Sequence, residues 1–297
     1  MPMGSVSESL MQHMTLGALC SRYGLVLQPP FASPVTVTSL ADDLDSVRPG
    51  SLYVPTGTDP TPELLHQALE RGAYAVLAPM AVRGMLVNAD LPVLYGDLDA
   101  AQLGALASGI AGGPSDALAM FGVCGPKADE TIRVLAEFLH VLGNPVGRIS
   151  AQGSFALDRE LNIEYPLNTF EVQHVLSVCA EDGAAAVVVA IDERTLHRGS
   201  LSAVNMDVLA VADDDRLSVD TQRHLLAAAA AEYGFAIGED THVTWRTSES
   251  DAMAIQASST DDPLSVNRLS TSIAMVMAAG VRKGNIRNAL RVSRELS

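Results

Sequence analysis

Residues 117–131 read Ala-Leu-Ala-Met-Phe-Gly-Val-Cys-Gly-Pro-Lys-Ala-Asp-Glu-Thr, and this stretch decides the fold class. Its first half, Ala117–Val123, is an apolar run typical of a strand that is buried on both faces. The strand runs directly into Gly122-Val-Cys-Gly125, and these two glycines indicate a turn at the end of the strand. From about Glu130 the apolar residues recur at helical spacing, which predicts a helix. A strand, a glycine turn and a helix in this order favour a parallel α/β sheet.

The rest of the second half of the chain alternates between strand and helix patterns. This alternation predicts a doubly wound, mostly parallel sheet resembling that of phosphate-loop proteins. The predicted strands are Ala184–Ile191, Met206–Ala212 and Val243–Thr247, and the predicted helices are Glu130–Leu142, Glu171–Ala180, Thr221–Tyr233, Pro263–Ala279 and Gly284–Arg294.

The first hundred residues predict a smaller α/β domain. A strand at Ser51–Pro55, a helix that begins at Pro62 and a strand at Ala73–Ala78 give the order β-α-β. Residues 109–115 are Gly-Ile-Ala-Gly-Gly-Pro-Ser, a linker composition. We therefore predict three parts, listed here in chain order: a flexible tail at 1–14, a small domain at 15–112 and a larger one at 113–297.

Composition and charge exclude several classes of protein. The 297 residues contain 19 Lys and Arg against 35 Asp and Glu, a net charge of -16 that repels nucleic acid. The three cysteines have no disulfide or zinc spacing. The sequence shows no secretory signal, and its longest uncharged stretches are broken by Pro, Gly and Ser, so we expect a cytoplasmic protein without membrane insertion.

Residues 122–131 resemble the phosphate loop of the Mur ligases, which reads GVTGTNGKTT in that family. Residues 37–50, 166–169, 183–199 and 265–280 resemble further segments of the same family, in the same order and at matching distances. The resemblance is closest to the MurE type, UDP-N-acetylmuramoyl-tripeptide synthetase. It covers the N-terminal, UDP-binding domain and the central, ATPase domain of the family, and it implies that the C-terminal domain is absent.

The resemblance also implies a degenerate ATP site, because the departures fall on the groups that neutralise phosphate charge. Ala128 and Asp129 replace the glycine and lysine of the family's loop, and Glu130 replaces its first threonine. Thr131 keeps the second threonine. Lys127 lies two positions too early to replace the missing lysine. An aspartate at the lysine position has the wrong sign for binding phosphate.

The metal-binding positions that the resemblance implies are lost as well. Ala190 stands where the family has a Mg²⁺-binding glutamate, and Arg194 where it has a histidine. The family also uses a carbamylated lysine in this domain, but no lysine occurs between Asp129 and Arg282. We therefore expect no catalytic residue, no metal and no bound ATP or Mg²⁺.

Some polar residues remain as candidates for binding a ligand or a metal. The resemblance places Asn168 and Thr169 in the muramoyl-binding loop, and Arg48 and Asn267 near other binding segments. Carboxylates after two predicted strands could bind Mg²⁺. For the carboxylates after each of these strands, however, a solvated turn or helix cap is the favoured interpretation. These carboxylates are Asp192 and Glu193 in one group and Asp213, Asp214 and Asp215 in the other.

Three hypotheses follow for the function. The favoured one is a catalytically inactive pseudoenzyme that binds a protein partner in peptidoglycan synthesis or cell division, or a second copy of itself. The second is a non-catalytic sensor of a UDP-muramoyl ligand or a nucleotide, which would need Arg48, Arg133 or Arg148 to neutralise the ligand's phosphates. The third is an amino-acid ligase completed by another chain, which would need Lys127 to reach a bound phosphate.

Overall fold

The computed structural model describes residues 15–56, 59–86, 89–125, 127–212, 217–258 and 262–296, with side chains up to residue 292. The chain divides after Gly113 into two compact units, which are described separately below. The predicted tail, residues 1–14, lies outside the described residues.

The first unit is a five-stranded sheet with helices packed against it. The strand order is β1-β5-β4-β3-β2, in which only the edge strand β1 is antiparallel to its neighbour. Thr61 caps the second helix as predicted, since its Oγ1 accepts a hydrogen bond from Leu64 N at 3.2 Å. The elements are α1 Leu16–Tyr23, β1 Val26–Gln28, β2 Ser39–Ala41, β3 Ser51–Tyr53, α2 Pro62–Glu70, β4 Ala73–Ala78, β5 Val93–Tyr95 and α3 Ala100–Ile110.

The predicted linker at 109–115 is partly wrong, because α3 continues to Ile110. The helix begins at a capping box formed by Asp99 and Gln102, and Ile110 is buried at its end. The apolar content of this segment therefore serves the core of the first unit, and the loop begins only after it.

The second unit is a seven-stranded sheet of order β12-β11-β6-β10-β7-β8-β9. The strands β12, β11, β6, β10 and β7 are parallel to their neighbours, and β7, β8 and β9 form antiparallel hairpins at one edge. The elements are β6 Ala119–Cys124, α4 Ala128–Val141, β7 Val146–Ile149, β8 Ser154–Ala156, β9 Arg159–Leu161, α5 Thr169–Glu181, β10 Ala186–Ile191, β11 Val208–Val211, α6 Val219–Tyr233, β12 His242–Val243, α7 Ser248–Ala257, α8 Pro263–Ala278 and α9 Lys283–Leu296.

Helices cover both faces of this sheet, so the predicted doubly wound α/β class is confirmed. Met120 of β6 packs in the cluster that includes α5 and α6, whereas Phe121 packs on the opposite face with α4, α8 and α9. The predicted strand at Val243–Thr247 is mostly wrong, because β12 contains only His242 and Val243. Among the described residues, no helix combines the length and the apolar character needed to cross a membrane.

The two predicted glycines of the turn have separate structural roles. A Cβ added to Gly122, inside β6, would come within 2.7 Å of Ile191 Cδ1 and of Leu209 Cδ2. Gly125, directly after the strand, has φ +106°, a conformation that other residues rarely adopt. Close packing of side-chain ends therefore favours the first glycine, and backbone conformation favours the second.

Two buried thiols and one buried phenol in the second unit predict a loss of stability at alkaline pH. Burial is the main cause that raises the pKa of Cys124, of Cys179 and of Tyr233, in each case to about 12. The unfolded chain releases these protons nearer the ordinary values of 9.0 and 10.0. We expect the free energy of unfolding to be unaffected by these groups below pH 9.0 and to fall as pH rises toward about 12.

Urea unfolding over this pH range measures the effect, which is up to about 1.4 kcal/mol per pH unit for each group that ionises only on unfolding. Cys124→Ala is the matched variant, because it removes one of the groups and should reduce the slope. An alkaline slope that is the same in this variant would contradict the assignment.

Candidate functional site

Three loops meet at the carboxyl edge of the second sheet. The strands β6, β10 and β7 are adjacent and parallel, so the loops that follow them leave the sheet on the same side. Side-chain hydrogen bonds connect these loops. Ser150 Oγ donates to Asp129 Oδ1 at 2.6 Å, and Ala151 N donates to Thr195 Oγ1 at 3.0 Å. This edge brings together the predicted loop residues and the residues after β10.

Asp129 lies at the centre of this edge. Its carboxylate forms an ion pair with Arg194 and accepts the hydrogen bond from Ser150. The side chain of Asp129 is only 1% exposed, whereas that of Arg194 is 55% exposed. The negative charge at the predicted lysine position is therefore matched by a cation of the protein itself.

A turn built by Asp192 positions Arg194. Asp192 Oδ1 accepts hydrogen bonds from the backbone N of Arg194 at 3.0 Å and of Thr195 at 2.9 Å. Asp192 Oδ2 lies 3.5 Å from the Arg194 guanidinium. The negative charge of Asp129, and to a smaller extent that of Asp192, raises the pKa of Arg194 above its ordinary value. The carboxylate considered as a metal ligand is therefore engaged in the turn that orients Arg194.

Of the other candidates for metal binding, only Glu193 lies among the described residues. Glu193 is exposed, next to Asp192. Asp213, Asp214 and Asp215 lie outside the described residues. Within the part of the chain that the structure covers, no three His, Cys, Asp or Glu residues are grouped so that they could hold a metal ion.

The predicted phosphate loop leads into α4, which begins at Ala128, two residues earlier than predicted. Lys127 precedes the helix, and its Nζ lies 3.9 Å from Glu130 Oε1. Thr131 Oγ1 donates to Lys127 O at 3.0 Å. Asp129 and Glu130 therefore lie in the first helical turn, where the helix dipole stabilises negative charge and where a helix otherwise attracts an anion.

Asn168 and Thr169 differ in how they are used at the start of α5. Asn168 caps the helix, because its Oδ1 accepts from Phe170 N at 2.8 Å and from Glu171 N at 3.1 Å. Glu171 completes the capping box by accepting from Asn168 N at 2.7 Å. Thr169 Oγ1 is buried and has no hydrogen-bond partner among the described residues. Of the two predicted ligand-binding residues, only Thr169 retains an unused polar group.

The three arginines that the sensor hypothesis needs each contact nearby residues of the protein. Arg48 donates to Asp45 O at 2.7 Å and to Val47 O at 2.9 Å. Arg133 donates to Glu137 at 2.7 Å, and Arg148 lies 4.5 Å from the centre of the Phe155 ring. The guanidinium groups of Arg48 and Arg133 are thus engaged in local bonds, and that of Arg148 packs on an aromatic ring.

The last two predicted positions, Ala190 and Asn267, lie within a strand and a helix of the second unit. Ala190 is fully buried inside β10, where its methyl group offers no metal ligand. Asn267 lies in α8, and its backbone carbonyl accepts from Thr271 Oγ1 at 3.1 Å.

Sequence reasoning missed Ser150 and Thr195, which connect the three loops. Both follow buried strands or their turns, and both side chains are buried. For Ser150, the available signal was a small hydroxyl residue directly after a strand. A position at the carboxyl edge of a parallel sheet would have made it a candidate.

An open, mostly parallel sheet with helices on both faces and a glycine turn that leads into a helix defines a doubly wound α/β domain. No protein-family model matches the chain. The sequence is similar to two enzymes named UDP-N-acetylmuramoyl-L-alanyl-D-glutamate--2,6-diaminopimelate ligase. The one from Pseudomonas aeruginosa is 29% identical over 210 residues, which is 69% of this chain and 43% of the relative. The one from Xanthomonas campestris pv. campestris is 31% identical over 207 residues, which is 68% of this chain and 41% of the relative.

Solved structures show the same fold. A 2,6-diaminopimelate ligase structure superposes with a TM-score of 0.55 at 12% identity, covering 89% of this chain and 64% of that one. MurF from Acinetobacter baumannii gives a TM-score of 0.57 at 11% identity, and the superposition covers 95% of this chain and 67% of MurF. This chain is similar in sequence to Mur ligases and has the fold of their N-terminal and central domains. It spans less than half the length of the two ligases that it matches in sequence.

Proposed function

We propose that this protein is a MurE-like pseudoenzyme that has lost ATP binding and acts by binding a protein partner in peptidoglycan synthesis or cell division. The observation that carries the proposal is the buried Asp129, paired with Arg194 at the start of α4. The resemblance places a phosphate-binding lysine at the first of these positions and a histidine at the second. The two departures contact each other, and together they form a neutral pair where the family needs positive charge.

The electrostatics of this edge oppose a bound triphosphate. A phosphate oxygen at the start of α4 would face both Asp129 and Glu130. At the effective dielectric near a protein surface, an unpaired carboxylate repels a phosphate oxygen about 4 Å away by about 4 kcal/mol, and the pairing of Asp129 with Arg194 lowers this figure. Lys127 offers little compensation, since its ammonium is directed to Glu130 at 3.9 Å. The same geometry disfavours a ligase completed by another chain.

One observation favours the second candidate function, a sensor that binds without turnover. Thr169 Oγ1 is buried and unpartnered within the described part of the chain, and the resemblance places residues 168–170 in the muramoyl-binding loop. A ligand oxygen could satisfy this hydroxyl. The absence of nucleotide binding and the retention of a UDP-muramoyl ligand are therefore separate questions.

Thermal unfolding with Mg-ATP, and separately with UDP-MurNAc-dipeptide, tests the pseudoenzyme and the sensor proposals. A ligand at about 100 times its dissociation constant stabilises a protein by about 2.7 kcal/mol. We expect no shift with Mg-ATP, with the Pseudomonas aeruginosa ligase as a positive control. A shift of several degrees with Mg-ATP would overturn the pseudoenzyme proposal. A shift with UDP-MurNAc-dipeptide alone would favour the sensor over the scaffold.

A further inference from the structure

The end of the chain carries a concentration of positive charge that the rest of the molecule lacks. Residues 282–296 contain five of the 19 basic residues and one acidic residue, in a protein of net charge -16. Most of these residues lie on α9. A basic helix attracts negative charge locally, in a protein whose net charge repels it.

A groove between α7 and α9 combines this charge with an apolar floor. Its volume is about 330 Å³. Met253 and Leu290 are buried in the floor, and Arg287 and Arg291 stand exposed at the rim, one helical turn apart. Ala257 and Gln256 complete the lining.

The two rim arginines differ from other basic residues of this unit. Lys283, on the same helix, pairs with Glu249 at 2.7 Å, and Arg198 pairs with Glu232 at 3.3 Å. Arg287 and Arg291 form no ion pair or hydrogen bond with any side chain among the described residues. As far as the described side chains extend, their guanidinium groups have no carboxylate partner.

We propose that this groove docks a short acidic, apolar segment of a partner protein. One apolar side chain would cover Met253 and Leu290, while flanking carboxylates pair with Arg287 and Arg291. Arginine beside an apolar centre is the composition typical of energetically dominant interface residues. The net charge of -16 disfavours an extended polyanion such as a nucleic acid. A short segment would bring its few carboxylates only to the basic helix.

The choice of a protein as the occupant rests on the proposed function, but its test is independent of the ATP site. The probe is a fluorescein-labelled amphipathic peptide of glutamate and leucine, measured by fluorescence anisotropy with the whole chain. Its matched control has serine in place of leucine. We expect the leucine peptide to bind at least about tenfold more tightly than the serine peptide, because burial of the leucines adds apolar contact.

The double variant Arg287→Gln/Arg291→Gln is expected to weaken binding of the leucine peptide by about tenfold or more. Arg198→Gln/Arg223→Gln changes the charge equally on another surface of the unit and should alter binding less than about twofold. Thermal unfolding of each variant verifies that it is folded.

Three results would overturn the docking proposal: no binding of the leucine peptide by the whole chain, equal weakening by both double variants, or equal binding of both peptides. Binding of phosphatidylglycerol vesicles that requires Arg287 and Arg291, without peptide binding, would instead assign the groove to a membrane surface. None of these results depends on whether Mg-ATP binds.

Discussion

Replacing Arg194 with alanine is expected to lower the free energy of unfolding by about 2–3 kcal/mol. The reason is that Asp129 would remain as a buried carboxylate without its cation. Ser150 would still donate one hydrogen bond to Asp129, and solvent reaches the exposed side of Arg194, so the loss should stay below that of a fully buried pair. Urea unfolding at neutral pH measures it.

The double variant Arg194→Ala/Asp129→Asn is the control for this interpretation. Removing the charge of Asp129 should recover part of the loss, because the neutral amide no longer needs a cation. A double-mutant cycle then gives a coupling energy of about 1 kcal/mol or more. Strictly additive effects of the two substitutions would show that the pair contributes nothing specific to stability.

Replacing Asp129 with lysine, the residue that the resemblance predicts at this position, is expected to cost about 3–5 kcal/mol. The new ammonium would be buried at the start of α4 beside the Arg194 guanidinium, and the helix dipole would also oppose it. Urea unfolding, compared with Asp129→Asn, separates the cost of the added charge from that of losing the ion pair.

The combination Asp129→Lys/Arg194→Ala serves as the matched variant, since it removes the repelling guanidinium and should recover stability relative to Asp129→Lys alone. If Asp129→Lys were as stable as the natural protein, the first turn of α4 would tolerate a cation. The account of a site committed to its own ion pair would then be wrong.

Elements with a continuous apolar run were predicted well from the sequence. The strand predicted at Ala184–Ile191 is observed at Ala186–Ile191, since six consecutive buried residues leave no other arrangement. Helix α7, Ser248–Ala257, was missed because its apolar residues show no clear helical periodicity. The hairpins that include β8 were missed because three-residue strands carry too little pattern.

The candidate site was predicted in part. The glycine turn and the reversed charge at Asp129 could be read from the local sequence. The partners of Asp129 could not, because Arg194 and Ser150 come from loops that only the sheet topology brings together. A clue was present: the resemblance marked both Asp129 and Arg194 as departures, and two substitutions of opposite charge in one site favour mutual contact.

A crystal structure determined with Mg²⁺ and a non-hydrolysable ATP analogue at saturating concentration tests the central claim most directly. The account predicts that Asp129 and Arg194 remain paired and that no phosphate lies at the start of α4. Triphosphate density against residues 125–131, with Arg194 displaced from Asp129, would contradict it.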